Sequence, residues 1–160
     1  MEYGQQLTEG KTKIIYAHPD DERAAIMVQK DAISAGDGAR KNVIPGKGTI
    51  SNRTAANVFA ALNAAGIKTH YFDDPERATM IVARCHMLPL EVVMRRLATG
   101  SYCRRHPEVA EGTRFDPVTV EFFFKDDAAH DPQIDEAGIV ERKLGSDAEV
   151  AAMVETGRAV

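Results

Sequence analysis

Polar and apolar positions along the chain follow two different periods. Early on the period is short: "KIIYAH" and "AAIMVQ" are β-branched or apolar runs separated by "PDDER", the pattern of two strands joined by a turn. It lapses across residues 34–48, "SAGDGARKNVIPGKG", where glycines and Pro45 interrupt any regular element. A long loop is predicted there, and long loops in compact domains are commonly functional. Beyond it the period lengthens. Ala55, Val58, Phe59 and Leu62 fall at i, i+3, i+4 and i+7, with Ser51 or Asn52 to cap the start and Gly66 to close the end, which predicts a helix.

"IKTHYF", "ATMIVARC" and "PLEVVMRRLAT" predict three more strands, and "VTVEFFFK" alternates as a further one. The last segment, "SDAEVAAMVETGRAV", opens with a capping box of Ser146 and Glu149 and carries a stripe of Val150, Met153 and Val154. No later element is present to receive that stripe, so it is expected to be uncovered unless self-association or further chain buries it. The class is α+β, an antiparallel sheet first with helices interspersed.

Composition narrows the function classes. At 160 residues, 44% hydrophobic and 28% charged, the chain is an ordinary globular protein with no charged tail. Its net charge of −4, with the basic residues dispersed, argues against a nucleic-acid partner. Cys85 and Cys103 are isolated, which excludes a disulfide framework and points to a reducing compartment. The N-terminus lacks the basic and apolar regions of a signal peptide. The most apolar stretch, residues 80–94, is broken by Arg84, His86, Pro89 and Glu91. A cytoplasmic protein with no membrane partner is expected.

Four stretches carry candidate chemistry. In "LTEGKTKIIY", Gly10 precedes Lys11 and Lys13, and two lysines at i and i+2 on a strand share one face. A phosphate grip and a solvated hairpin edge are both open, because the pattern is not a Walker loop and no helix follows directly. In "SAGDGARKN", Gly36 and Gly38 bracket Asp37 ahead of Arg40 and Lys41. Backbone N–H groups and cations there either meet an anionic substrate or belong to a plain surface loop. "MRRLATGSYCRRHP" sets Arg95, Arg96, Arg104 and Arg105 around Gly100 and Ser101. Arginine forks onto phosphate or carboxylate; the alternative is a strand end and a short basic helix facing water. "FFFKDDAAHDP" gathers Lys125, Asp126, Asp127, His130 and Asp131, either as hard oxygens for Mg2+ or as a charged turn that guards the phenylalanine run against aggregation.

Taken in order, "LTEGKTKIIY", "KDAISAGDGARKN", "GKGTISNRTAA", "AGIKTHYF", "MLPLEVVMRRLATGS", "EGTRFDP" and "EFFFKDDAAHDPQ" resemble SAICAR synthetase over nearly the whole chain. The forms "RRLATGS" and "FFFKDDA" are most similar to the branch that includes the animal bifunctional enzyme. The resemblance implies an ATP- and Mg2+-dependent ligase of purine biosynthesis, joining L-aspartate to carboxyaminoimidazole ribonucleotide to give SAICAR, ADP and phosphate. An unreactive carboxylate is first made electrophilic, as an acyl phosphate, before the aspartate amine attacks, so catalysis is charge neutralisation and alignment. The implied fold is α+β and kinase-like, an antiparallel sheet with helices. Residues 1–90 would form the nucleotide-binding lobe and 91–160 an incomplete second lobe.

The resemblance also implies roles. Gly10, Lys11 and Lys13 match the loop that contacts ATP phosphates, and the stretch from Met87 to Glu91 matches the connection whose backbone meets adenine. Asp37 and Arg40 match the glycine-rich substrate loop, while Arg95, Gly100 and Ser101 match the segment that receives the ribonucleotide phosphate. Lys125 and Asp131 match the acidic loop at the reacting centre. The family pattern continues past the last helix to a strand reading roughly Lys-x-Glu-Phe-Gly and an acidic, metal-bearing segment. These 160 residues would therefore lack the C-terminal part of the second lobe, and the metal ligands are unassigned. A non-catalytic nucleotide-binding or interaction module of the same family is the alternative, and a homo-oligomer is open.

Overall fold

The computed structural model describes residues 1–35 and 40–160. The chain forms two compact units, Met1–His86 and Met87–Val160. The first contains β1 (Gln6–Glu9), β2 (Lys13–Ala17), β3 (Ala24–Gln29), β4 (Ala32–Ala35), β5 (Arg40–Val43), α1 (Lys47–Ala64), β6 (Tyr71–Glu76) and β7 (Thr79–Ala83). Five strands pair antiparallel in the order β1-β2-β3-β7-β6. β3 is central because "AAI" at its start is buried on both faces, as a run without polar alternation requires. Helix α1 covers one face, bringing Ala56 against Ala25, Met80 and Val82, with Ala55 and Phe59 beside them.

Three predicted features of this unit are corrected. The long loop contains a two-stranded ladder, β4 against β5, which Gly and Pro content concealed. Helix α1 begins at Lys47, ahead of the predicted caps Ser51 and Asn52, because its start is held from outside. The Asp31 carboxylate accepts the N–H groups of Gly46 (3.1 Å) and Gly48 (2.8 Å), satisfying donors that a helix start leaves open. Gly46 turns the chain in at φ 84°. A Cβ on Gly48 would lie 2.6 Å from the Gln29 carbonyl oxygen, so only glycine allows this approach. Asn52 lies inside the helix at 1% exposure, its amide donating to the Thr79 carbonyl at 3.1 Å. Val58, read as part of the buried stripe, is 50% exposed.

The helix ends as predicted at Gly66. Its N–H donates to the Asn63 carbonyl and that of Ile67 to the Leu62 carbonyl, the paired bonds of a Schellman stop. The Asn63 side chain then ties Thr69 and the Tyr71 carbonyl to the helix end. The strand expected in "IKTHYF" consequently starts only at Tyr71 and continues through Pro75, which an edge strand tolerates.

The second unit contains β8 (Leu90–Leu97), α2 (Ser101–Arg105), β9 (Arg114–Phe124), β10 (Gln133–Ile134), α3 (Glu136–Glu141) and α4 (Asp147–Ala159). Its sheet runs β10-β9-β8, antiparallel throughout. The register sets Leu90 opposite Phe124, Val92 opposite Phe122 and Met94 opposite Val120, so one face is apolar. Phe122, Ile139 and Val150 centre the core there, joined by Met153 and Val154.

The stripe of the last helix, expected to be uncovered, is thus partnered by β8 and α3. Sequence period located the stripe but not its partner, because α3 is too short to show a period. Ser146 and Glu149 form the expected capping box. The helix meets the sheet so closely that a Cβ on Gly157 would fall 2.1 Å from the Met94 methyl. Among the described residues, no helix is long and apolar enough to cross a membrane.

Two stability outcomes follow from the α1 start. Gly48→Ala forces a methyl against backbone and is expected to lower stability by about 1–3 kcal/mol, read as a lower urea midpoint. The N–H groups of Gly48 and then Gly46 hold the Asp31 carboxyl below its ordinary value. A depressed value stabilises above the unfolded pKa and loses that effect as pH falls through the folded one. Asp31→Asn should therefore lower the urea midpoint at pH 7, with the two proteins converging once pH drops below the ordinary Asp value of about 3.9.

Candidate functional site

In the first unit, the turn between β1 and β2 presents the Gly-Lys-Thr-Lys stretch. Gly10 N–H donates to the Lys13 carbonyl at 2.9 Å, and Lys30 N–H to the Thr12 carbonyl at 2.8 Å, which fixes the turn on the sheet. Lys13 opens β2, whereas Lys11 lies in the bend, so the shared strand face predicted for the two lysines is replaced by a shared turn. Both are exposed. The nearby acid does not neutralise them, since Glu9 is paired with Lys30 at 2.7 Å. Neither Lys11 nor Lys13 has an ion pair among the described residues. A Cβ on Gly10 would meet nothing nearer than the Lys13 carbonyl oxygen at 4.0 Å. The fold itself does not demand this glycine, and the space beside it stays open.

In the second unit, strand alternation sorts the chemistry onto the face opposite the core. Glu91 pairs with Phe123, Val93 with Glu121 and Arg95 with Thr119, and cross-strand partners share a face. Lys125, two residues beyond Phe123, continues that side. Its ammonium lies 3.4 Å from Glu91 and in close contact with Asp131. His130 (φ 56°) and Asp131 (φ 49°) occupy the left-handed region, which bends the loop back so that Asp131 also accepts the Asp126 N–H at 2.9 Å. Three candidates from two separate stretches, Glu91 from one and Lys125 and Asp131 from the other, therefore form one cluster.

The pairing decides what Lys125 can do. The Asp131 hydrogen bond foremost, with the Asp131 and Glu91 charges, raises the Lys125 pKa above its ordinary value against a smaller opposing effect of desolvation. At neutral pH the group is an ammonium ion that neutralises negative charge and does not act as a base. The acidic loop was also a candidate for Mg2+. The Asp126 carboxylate instead accepts the N–H groups of Ala128 and Ala129 at 3.1 and 3.2 Å. Among the described residues, no three His, Cys, Asp or Glu side chains are arranged to hold the Mg2+ that the family implies.

Further along the same face, Arg95 Nε donates to Glu121 at 2.6 Å and Nη1 reaches the Thr99 carbonyl at 3.5 Å. The Arg95 guanidinium also lies over the Tyr102 ring, 5.1 Å from its centre. Gly100, at φ 58°, makes the bend that starts α2 at Ser101, and this conformation favours glycine. Tyr102 packs edge-on against Phe115, fixing the short helix. Arg95, Gly100 and Ser101 are thus linked through one carbonyl.

Arg40 is exposed at the start of β5, and Asp37 lies outside the described residues. Met87 is 78% exposed, and its backbone makes no hydrogen bond to other backbone among the described residues. Sequence reading passed over Glu121 and Asp31. The signal for Glu121 was an acid inside an apolar strand, sharing one face with Phe123 at i+2 and Lys125 at i+4; nothing local distinguished Asp31.

Solved structures place this framework in a class. The SAICAR synthetase (phosphoribosylaminoimidazole-succinocarboxamide synthase) of Ehrlichia chaffeensis matches 96% of the chain with a TM-score of 0.89 at 29% identity, and 64% of that structure is covered. A type-2 SAICAR synthetase in complex with ADP matches 95% of the chain with a TM-score of 0.84 at 33% identity, again over 64% of its length. The fold is that of the α+β SAICAR synthetases, built on antiparallel sheets. The chain belongs to the SAICAR synthetase family, whose model matches residues 6–160. The phosphoribosylaminoimidazole-succinocarboxamide synthase of Herpetosiphon aurantiacus is 67% identical across 100% of this chain, which spans 65% of that relative's length.

The state of Lys125 is open to measurement. Because its pKa is raised, the ion pair stabilises below the ordinary lysine value and is lost only as pH climbs through the folded one. At pH 9, acetic anhydride labelling followed by peptide mass spectrometry is expected to modify Lys11 and Lys13 well before Lys125. Equal labelling would show that the cluster does not hold the proton.

Proposed function

We propose that this chain carries the ATP and ribonucleotide sites of a ligase that joins L-aspartate to carboxyaminoimidazole ribonucleotide, giving SAICAR, ADP and phosphate. The observation that carries the reading is the polar face of the second unit. It holds an arginine and the Gly100-Ser101 bend at one end and the Glu91–Lys125–Asp131 cluster at the other. Arg95 lies four positions beyond Glu91 on β8, about 13 Å at the rise of a strand, a length suited to a nucleotide with its phosphate at the arginine and its base at the lysine. Family membership and the ADP complex of a relative support the nucleotide assignment.

On this reading Lys11 and Lys13 neutralise the phosphates of ATP, and the open space at Gly10 lets the turn come close to them. The backbone at Met87 receives the adenine edge. Arg95 and Ser101 hold the ribonucleotide phosphate, and Asp37 and Arg40 are assigned to substrate through the family's glycine-rich stretch. A substrate carboxylate oxygen attacks the terminal phosphorus of ATP, the bond to ADP breaks, and an acyl phosphate results. The aspartate amine then attacks the acyl carbon, loses a proton and expels phosphate. Lys125, fixed as a cation, stabilises the negative charge that builds in both steps. Asp131 and Glu91 orient it.

Incubation of the folded 160-residue chain with ATP, Mg2+, the ribonucleotide and L-aspartate is expected to release ADP only when all are present. A folded chain that binds nucleotide but releases none would reduce the function to nucleotide binding. Replacing Lys13 by Met should weaken ATP binding by about tenfold or more, the loss of one charge-assisted contact, with the urea midpoint unchanged.

A further inference from the structure

Among the described residues Glu121 is the one charged side chain that is buried, at 3% exposure. Each of its oxygens is taken by a different arginine: Oε2 by Arg95 Nε at 2.6 Å, and Oε1 closely by Arg105 Nη2. Each guanidinium is then fixed at a second point by an aromatic face, Arg95 over Tyr102 and Arg105 over Phe123, both 5.1 Å from the ring centre. Two cations against one anion leave a net positive charge. A guanidinium has five N–H donors, and these contacts use only some of them.

We propose that Glu121 is a positioning residue that holds Arg95 and Arg105 as a preorganised pair of forks for the ribonucleotide phosphate, with Arg105 as a second phosphate ligand. The inference rests on the assignment of that phosphate to Arg95 and Ser101. The rival is that Glu121 merely balances the charge of two arginines, and the two differ in sign. Removing the carboxylate charge takes the cluster from one net positive charge to two. A balancing role then predicts tighter binding of an anion, and a positioning role predicts weaker binding, because the forks lose their fixed aim.

The test is calorimetry on the 160-residue chain with carboxyaminoimidazole ribonucleotide and with its nucleoside lacking the phosphate. The ratio of the two affinities isolates the phosphate contribution. Glu121→Gln is expected to cut that ratio about tenfold or more, Glu121→Asp to cut it less, and Arg105→Lys to cut it about tenfold, the scale of one charge-assisted contact. An unchanged or larger ratio in Glu121→Gln overturns the proposal. If that variant does not fold, Glu121→Asp decides, since it keeps the charge and withdraws it by one methylene, and an unchanged ratio again overturns it. A wild-type chain that binds both ligands equally refutes the phosphate assignment itself, and the positioning role with it.

Discussion

A carboxylate removed from water must be answered by cations and hydrogen bonds within the fold, and in the second unit that requirement falls on Glu121. It sits on β9 between Val120 and Phe122, so the strand that builds the apolar core also builds the charged face. Arg95 arrives from the neighbouring strand and Arg105 from the short helix. Satisfying one buried charge therefore fixes β8, β9 and α2 with respect to each other. A hydrophobic pair at these positions would have packed as well or better; what the ion cluster adds is direction, since guanidinium groups bond along fixed lines.

The first unit depends on a quieter version of the same demand. Asp31, which follows β3, satisfies the open N–H groups at the start of α1, so strand and helix are joined by a carboxylate rather than by apolar packing alone. Glycine at position 48 permits the contact by leaving room for the Gln29 carbonyl. The lysine-bearing turn stands on the same sheet, with Glu9 already committed to Lys30, and its two exposed cations keep their charge available.

Much of this was legible in the chain. The α1 stop at Gly66 and the capping box of α4 were read correctly, because both depend on a few adjacent residues. The antiparallel strands of the core followed from their period. What escaped depended on partners distant in sequence. The α1 start needed Asp31, the cover on α4 needed the six-residue α3, and the ladder of β4 and β5 was hidden by glycine-rich composition. For the candidate site, single motifs gave only the residue types. Strand register and the left-handed bend at His130 and Asp131 brought Glu91, Lys125 and Asp131 into contact, and burial alone marked Glu121.

The notch at Gly157 has a mechanical consequence. Met94, which fills it, is followed directly in β8 by Arg95 on the opposite face, so a helix on one side of the strand and a guanidinium on the other bear on adjacent residues. Side chains in α4 set the height and tilt of the strand on which Arg95 stands. Substitutions in that helix which change its distance from the sheet will accordingly be felt as a displacement of the Arg95 guanidinium. The apolar layer works as the bed of a clamp whose jaw is on the other face.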